Sequence, residues 1–411
     1  MAGNSLSITQ TGLEAIDTAL DAVSDNLANA QTDGFSSESV DFQTLLGEYI
    51  AGSPLGGGAT VSGIDRDFSP GAIVQTDSPT DLAIQGNGFF VLQSPSGSQA
   101  YTLNGAFSIS SNGTLVAADG SDVMGYGLNA SGTSTGVLAP IVVPQGLLAP
   151  TASTQNTLTG NLDSTSPVLS GAINPSDPTT YSASVSVQVF DSLGNSHVLT
   201  YYFQNAGSSG TPPTEQWNWT ATLDGSATGL TNNSGTLSFN SAGNLTSGGT
   251  PANPLTATIA GASNLSLNLN FTGLTQFAES TAASGTADGN APGRPLGVQV
   301  NNNGVLSVSY SNGQTANVAQ VAVATFPSNE GLALTDSGVY VQTNQSGVPT
   351  ISTAGAGSAG TIQSSALESS NVDTTSQLIS LVVLQRSFQA NAKALQTEDA
   401  ILGTIVELQT T

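Results

Sequence analysis

Apolar residues recur every seven positions at both ends of the chain and every second position in between. At the N-terminal end Leu6, Leu13, Leu20 and Leu27 form one row, and Ile16, Val23 and Ala30 a second, three residues later. At the C-terminal end Leu381, Phe388, Leu395 and Leu402 repeat the spacing, flanked by Leu378, Leu384, Ala392 and Ile405. Such a/d rows mark helices that need a partner. The first helix is predicted from about Leu6 to Ala30. Ser7 and Gln10 stand at capping-box spacing near its start, and Asp33-Gly34 supplies a stop. The second is predicted from Asn371 or Asp373, either able to cap it, to about Gln409. Two seams without a local partner imply that the ends meet as a helical hairpin.

Between the seams the texture is β. Residues 35–70 read as a connector, with helical character over Val40–Tyr49 and a Gly/Ser/Pro-rich loop over Gly52–Gly63. Short apolar runs such as Leu82-Ala83-Ile84 and Phe89-Phe90-Val91-Leu92 follow. Asn87-Gly88, Asn104-Gly105, Asn112-Gly113 and Asp119-Gly120 punctuate them as hairpin turns. Val185, Val187 and Val189 alternate with polar residues, and Asn264–Asn270 alternates strictly. Residues 282–292 read as a linker, after which the first β texture resumes. The expected fold class is multidomain α+β: long terminal α-helices packed as a coiled coil, with two nested β-rich domains between them. The expected boundaries are 1–34 and 371–411 for the helical core and 35–70 for the connector. Residues 71–150 and 291–370 make a first β domain, and 151–290 an inserted outer one.

Composition narrows the function classes. Only 8% of the 411 residues are charged, against roughly 25% in an average globular protein. Four cations face 28 carboxylates, a formal net charge of −24 that repels nucleic acid phosphates. With 38% hydrophobic residues the chain can still build packed cores. There is no Cys, which removes disulfides and thiolate metal sites. No basic-then-apolar leader and no run of 18 apolar residues occurs, so neither a cleavable signal peptide nor a membrane helix is expected.

Candidate chemistry is sparse. His197 is the only histidine, so any Ser/His/Asp arrangement would need it; a strand-edge polar side chain is the simpler reading. Asp65 and Asp67 do not stand apart from ordinary loop acids, and no calcium loop is complete. Trp217, Trp219, Tyr201 and Tyr202 are candidates for a sugar platform or, as strand residues, for core or subunit contacts. No cofactor or metal is expected, and the chain reads as non-enzymatic. A β-rich secreted adhesin and a hydrolase stand as the contrasting classes.

Several motifs carry a resemblance. Ser24-Asp25-Asn26-Leu27-Ala28-Asn29-Ala30-Gln31-Thr32-Asp33-Gly34-Phe35 resembles the signature of the flagellar rod/hook axial protein family. Leu82–Phe90, with Gly86, Asn87, Gly88 and Phe89, is similar to that family's motif in its first β body, and Tyr101–Phe107 to the one that follows. Ser370-Asn371-Val372-Asp373 and Gln385–Ala392, which contains Arg386, resemble its C-terminal signature. Asn174–Pro178 and Val189–His197 look like the outer domain of the hook members. Ser36 departs from the pattern, standing where the family usually has Lys.

The resemblance implies a self-polymerising subunit whose terminal helices line an inner tube and whose β bodies form outer layers. The polymer would bend while transmitting torque from the rod to the filament, as a universal joint. Implied partners are further copies of the chain, the distal rod protein, the hook cap and hook–filament junction proteins. The flagellar type III export apparatus would deliver it outside the cell; neither nucleic acid nor membrane is a partner. A distal rod protein is the nearest alternative. The residues expected in inter-subunit helix packing are Leu6, Leu13, Ile16, Leu20, Val23, Leu27, Leu378, Leu381, Leu384, Phe388, Leu395, Leu402 and Ile405.

Overall fold

The structure, a computed structural model, describes residues 2–50, 53–129, 132–210 and 213–409; of these, the side chains of 2–5, 46–50, 53–56, 402 and 405–409 fall outside the description. The chain divides into two compact units. One comprises Met1–Gln145, Gly297–Ser309 and Thr315–Thr411, and the other Gly146–Leu296 and Tyr310–Gln314. The terminal helices and the first β body therefore share a single unit rather than forming two.

The first unit opens with helix α1 (Ala2–Ala28) and closes with helix α2 (Thr374–Gln409). Helix α1 starts earlier than the Ser7/Gln10 spacing predicted. Ser7 is inside the helix, and the Gln10 amide donates to Glu14 one turn on instead of capping. The stop is also earlier: the helix ends at Ala28, and Gly34 lies beyond it in a turn. Helix α2 begins where expected, with Asp373 Oδ1 accepting from the N–H groups of Thr375 (2.9 Å) and Ser376 (3.2 Å). Those donors hold the Asp373 carboxyl below its usual range.

The connector expectation is overturned. In place of a partial helix and a loop, the chain forms an antiparallel hairpin of strands β1 (Glu38–Ile50) and β2 (Ser53–Arg66). Its register is broken by three irregularities, and β2 runs against α1. A Cβ at Gly58 would stand 2.2 Å from Thr11 Oγ1, so only glycine allows this approach. Ile73–Gln75 and Leu82–Gln85 each form a two-stranded sheet, with Ala366–Glu368 and Thr361–Ser364 respectively, and from Phe89 the chain builds a sheet of twelve strands among the described residues. Segments from before and after the inserted unit interleave in it: Thr315–Thr325 pairs with Phe89–Gln93 and with Asp122–Leu128. Phe89, Tyr101, Phe326 and Tyr340 form its aromatic core, with Phe68 packed edge-on against Phe89 and Tyr340.

The second unit holds two five-stranded sheets. One is centred on Ser196–Ser209 and Thr214–Leu223, the other on Leu265–Phe277 and Gln155–Asp163. Inward-facing Val185, Val187, Val189, Leu199, Tyr201, Phe203, Trp217 and Trp219 meet Leu158, Leu162, Leu267 and Phe271 in a common core. The predicted linker over 282–292 contains a strand, Ala282–Ala287, antiparallel to Gln155–Asp163. The aromatic-platform reading fails: Tyr201, Trp217 and Trp219 are buried, and the half-buried Tyr202 packs edge-on against Tyr181 at 4.9 Å.

Candidate functional site

The two ends do meet. Thr9 Oγ1 lies 3.4 Å from Glu398 Oε2, Gly12 faces Asn391, and Ala19, Ala22 and Val23 line one groove with Gln377, Ser380, Val383 and Leu384. Positions rising along α1 meet positions falling along α2, so the helices lie antiparallel.

The fully buried stripe of α1 is not the leucine row. Ala15, Ala19, Ala22 and Asn26 are buried, while Leu6, Leu13, Ile16, Leu20, Val23 and Leu27 are half-buried. The two rows are offset by one position, about 100° around a helix of ~3.6 residues per turn. Small side chains let α1 lie close to its neighbours, and the larger ones stay partly open. Helix α2 is more one-sided. Leu381, Leu384 and Leu395 are half-buried, whereas Leu378, Ile379, Val382, Val383, Phe388 and Ile401 are exposed. The side chains of Leu402 and Ile405 lie outside the described residues. Helix α2 thus carries an open apolar face among the described residues.

The signature residues Asn26, Asn29, Thr32, Gly34, Phe35 and Asn371 form a joint between the end of α1, the β1/β2 hairpin and the start of α2. Asn26 is wholly buried; its Oδ1 accepts from Glu38 N–H and its Nδ2 donates to Glu38 C=O, both at 2.7 Å. It thus docks the end of α1 on the start of β1. Asn29 Nδ2 donates to Asp25 and Asn29 Oδ1 accepts from Thr32 Oγ1, closing the turn after the helix. Gly34 has φ +70°, and a Cβ there would lie 2.4 Å from the Asn104 nitrogen. Its N–H donates to Glu368 C=O, and Asn371 N–H reaches Phe35 C=O at 3.4 Å. Asn371 Oδ1 accepts from Ser37 N–H, while its Nδ2 donates to the carbonyls of Asp67 and Ser69. One side chain thereby ties the segment leading into β1, the segment leaving β2 and the start of α2. Gly86, Asn87 and Gly88 lie elsewhere in the unit, in a turn against Gly360 and Val323, with Asn87 C=O accepting from Gly360 N–H. Phe89 enters the aromatic core, and Arg386 is exposed on α2.

Charge at the joint is sparse and specific. Arg66 pairs with Glu38 at 2.5 Å. Ser36 is buried and its hydroxyl bonds Tyr340, so no basic side chain occupies this position. Glu368 is buried; desolvation pushes its carboxyl above the ordinary range, and the donated Gly71 N–H only partly offsets this. Asp41 hydrogen-bonds Asp65 across the hairpin and raises its affinity for a proton. No group of metal ligands is present among the described residues.

Family models match most of the chain. Residues 6–35 match the flagella basal body rod protein, 83–160 the D1 domain of the flagellar hook proteins FlgE/F/G, and 161–290 the flagellar basal body protein FlaE D2 domain. Residues 363–408 match the C-terminal region of the flagellar basal body rod FlgEFG proteins. The flagellar hook protein FlgE of Salmonella typhimurium is 37% identical across 98% of this chain and 100% of its own. Its Escherichia coli counterpart is 35% identical across 97% and 98%, and that of Treponema pallidum 31% across 97% and 98%. The chain belongs to the flagellar hook protein family. Among solved structures the Helicobacter pylori flagellar hook protein FlgE2 shares the hook-family fold with a TM-score of 0.53. It covers 72% of this chain and 100% of its own at 16% identity. The hook family is a structural family rather than an enzyme family, in keeping with a site made of apolar helix faces and backbone-directed amides. The backbone partners of Asn26 and Asn371 could not be read from the sequence. The motif marked the residues, but their partners lie on or just beside a hairpin that the residue pattern did not announce.

Proposed function

We propose that this chain is a structural subunit of the bacterial flagellar hook. Copies self-assemble into a curved tubular polymer that joins rod to filament and transmits torque while bending. The observation that supports this best is the unfinished helical base: α2 holds Leu378, Ile379, Val382, Val383 and Phe388 to solvent in a chain whose β cores are closed. In the polymer these residues and the half-buried leucines of α1 pack against helices of neighbouring copies in coiled-coil fashion, forming the inner tube. The distal rod protein would sit at one end, with the hook cap and hook–filament junction proteins at the other. Subunits reach the cell exterior through the flagellar type III export apparatus without a cleaved signal peptide. The D2 match over 161–290 covers the segments Asn174–Pro178 and Val189–His197 that resemble the outer domain of the hook members, and so favours a hook over a distal rod subunit.

Leu20→Asp, Leu395→Asp and Phe388→Asp test the reading. Each puts a charge on the surface assigned to neighbouring helices, and Phe388 is exposed enough to leave the monomer fold unchanged. Expected is loss of tubes in electron micrographs, with the near-ultraviolet circular dichroism of the β units retained. Normal tubes from all three variants would refute it.

A further inference from the structure

Three hairpin turns share one construction. Asn240 Oδ1 accepts from the N–H groups two and four residues on, Ala242 and Asn244, both at 3.0 Å. Asn301 Oδ1 does the same with Asn303 and Val305, both at 3.0 Å. Asp191 Oδ1 takes Leu193 N–H at 2.8 Å and Asn195 N–H at 2.9 Å. An amide oxygen is therefore sufficient to build the turn. The carboxylate at 191 adds a second charged oxygen, and that oxygen faces His197 Nε2 at 3.5 Å. On the other side of the ring, Nδ1 meets Asp224 Oδ2 at 2.7 Å. Asp224 is in turn fixed by Val198: its Oδ1 accepts from Val198 N–H and its own N–H donates to Val198 C=O, both at 2.9 Å. Both nitrogens of the chain's only imidazole thus point at carboxylate oxygens.

We propose that Asp191, His197 and Asp224 form a pH-dependent latch on the inserted unit, closed while the imidazolium bridges the two carboxylates. Geometry dictates the protonation preference. A neutral imidazole has one N–H, so one of the two arms would set a nitrogen lone pair against a carboxylate. The imidazolium donates along both. The latch joins the 191–195 turn, which also grips Ser263 N–H through Ser192 Oγ, to the end of the strand Thr214–Leu223.

The charged groups acting on the ring are these two carboxylates. Burial alone would lower the affinity of His197 for a proton, but hydrogen bonds to Asp224 and Asp191 outweigh it and raise it. Burial likewise works against ionised Asp191, yet the donors from Asn195, Leu193 and His197 pull its carboxyl down to about 2. Burial also opposes the charge on Asp224, and the bonds from His197 and Val198 lower it. The histidine contribution is complete below its unfolded value of ~6.5 and is lost as pH rises through the higher folded midpoint. The carboxylate contributions are complete above ~3.9 and are lost as pH falls toward their lowered midpoints. The latch is therefore tightest between about pH 4 and 6.5.

Because the chain has one histidine, its Cε1–H resonance in the full-length monomer is unique and reports the midpoint directly. The expected midpoint lies above ~6.5. Asp224→Asn should lower it by about half a pH unit or more. Asp191→Asn, which copies the sister turns and so preserves the fold, should lower it less. In calorimetry, the fall in melting temperature of this unit between pH 6 and 9 should shrink in His197→Gln. A wild-type midpoint at or below the unperturbed value overturns the latch, as does a midpoint unmoved by both asparagine variants.

Discussion

Asn26→Ala isolates the joint that docks α1 on the hairpin. The side chain is wholly buried and engages both backbone groups of Glu38 at 2.7 Å. Alanine removes both bonds without adding bulk, leaving a backbone N–H and C=O without these partners. Each unmet buried group costs ~1–3 kcal/mol, and because these two bonds are only partly buried docking should weaken by ~2–4 kcal/mol, the lower part of the ~2–6 kcal/mol that two such groups allow. Asn26→Asp should be at least as severe at neutral pH. It keeps the acceptor for Glu38 N–H but turns a carboxylate oxygen toward Glu38 C=O. The assay is hydrogen exchange at the Glu38 amide in the full-length monomer, since local opening of the joint exposes it without unfolding the β units. A loss of ~2–4 kcal/mol corresponds to roughly 30- to 700-fold faster exchange. Protection at Glu38 within threefold of wild type would show that the joint does not rest on Asn26.

Two glycines of similar φ separate strain from clash. Gly34→Ala must adopt φ +70° and also drive a Cβ into the backbone of Leu103 and Asn104, whereas Gly97→Ala at φ +90° meets open space. Gly97→Ala should lower stability by ~1–3 kcal/mol and Gly34→Ala by clearly more, measured by denaturant unfolding; equal effects would refute the close-approach account. Glu368→Gln tests the buried carboxyl. A folded-state affinity for protons above the unfolded one penalises the fold as pH climbs through the folded midpoint. The glutamine carbonyl can still accept from Gly71 N–H, so the variant should melt higher than wild type at pH 7. The gain should vanish below about pH 4.3, where both forms are neutral.

The heptads were legible because a seven-residue period survives any environment, but the packed face was not. The largest apolar residues on α1 are leucines, yet the monomer buries Ala15, Ala19 and Ala22. Burial there follows from close approach, as at Gly12 against Asn391 and Gly58 against Thr11, and not from side-chain size. The β1/β2 hairpin was illegible for a related reason. Its second strand carries Pro54 and Gly56-Gly57-Gly58, and breaks in register erase the two-residue alternation. Docking on α1 decides its structure. The strand Ala282–Ala287 was hidden by its small residues. Gly285 is required because a Cβ would lie 2.2 Å from Val187 Cγ2, and a linker-like composition is what such a close sheet contact demands. His197 was recognised as a strand-edge residue, but Asp224 lies 27 positions away and only the fold brings it there.

The distribution of open apolar surface bears on how assembly is controlled. On α2, Leu378, Ile379, Val382, Val383, Phe388 and Ile401 keep between 38% and 62% exposure. Completing the burial of such a side chain recovers about half of ~1.5–3 kcal/mol, or roughly 5–9 kcal/mol for the row. Bringing two chains together costs roughly 4–15 kcal/mol in lost freedom. One helix face against one neighbour therefore nearly cancels. Under the proposed packing, the balance would turn favourable only when the half-buried leucines of α1 are covered by other copies at the same time. The β units add little to that balance through their aromatic cores, because Trp217, Phe271, Phe89 and Tyr101 are already satisfied internally. On the packing proposed above, a lone subunit should stay monomeric while a subunit touching several neighbours is held, which would confine growth to the end of an existing lattice.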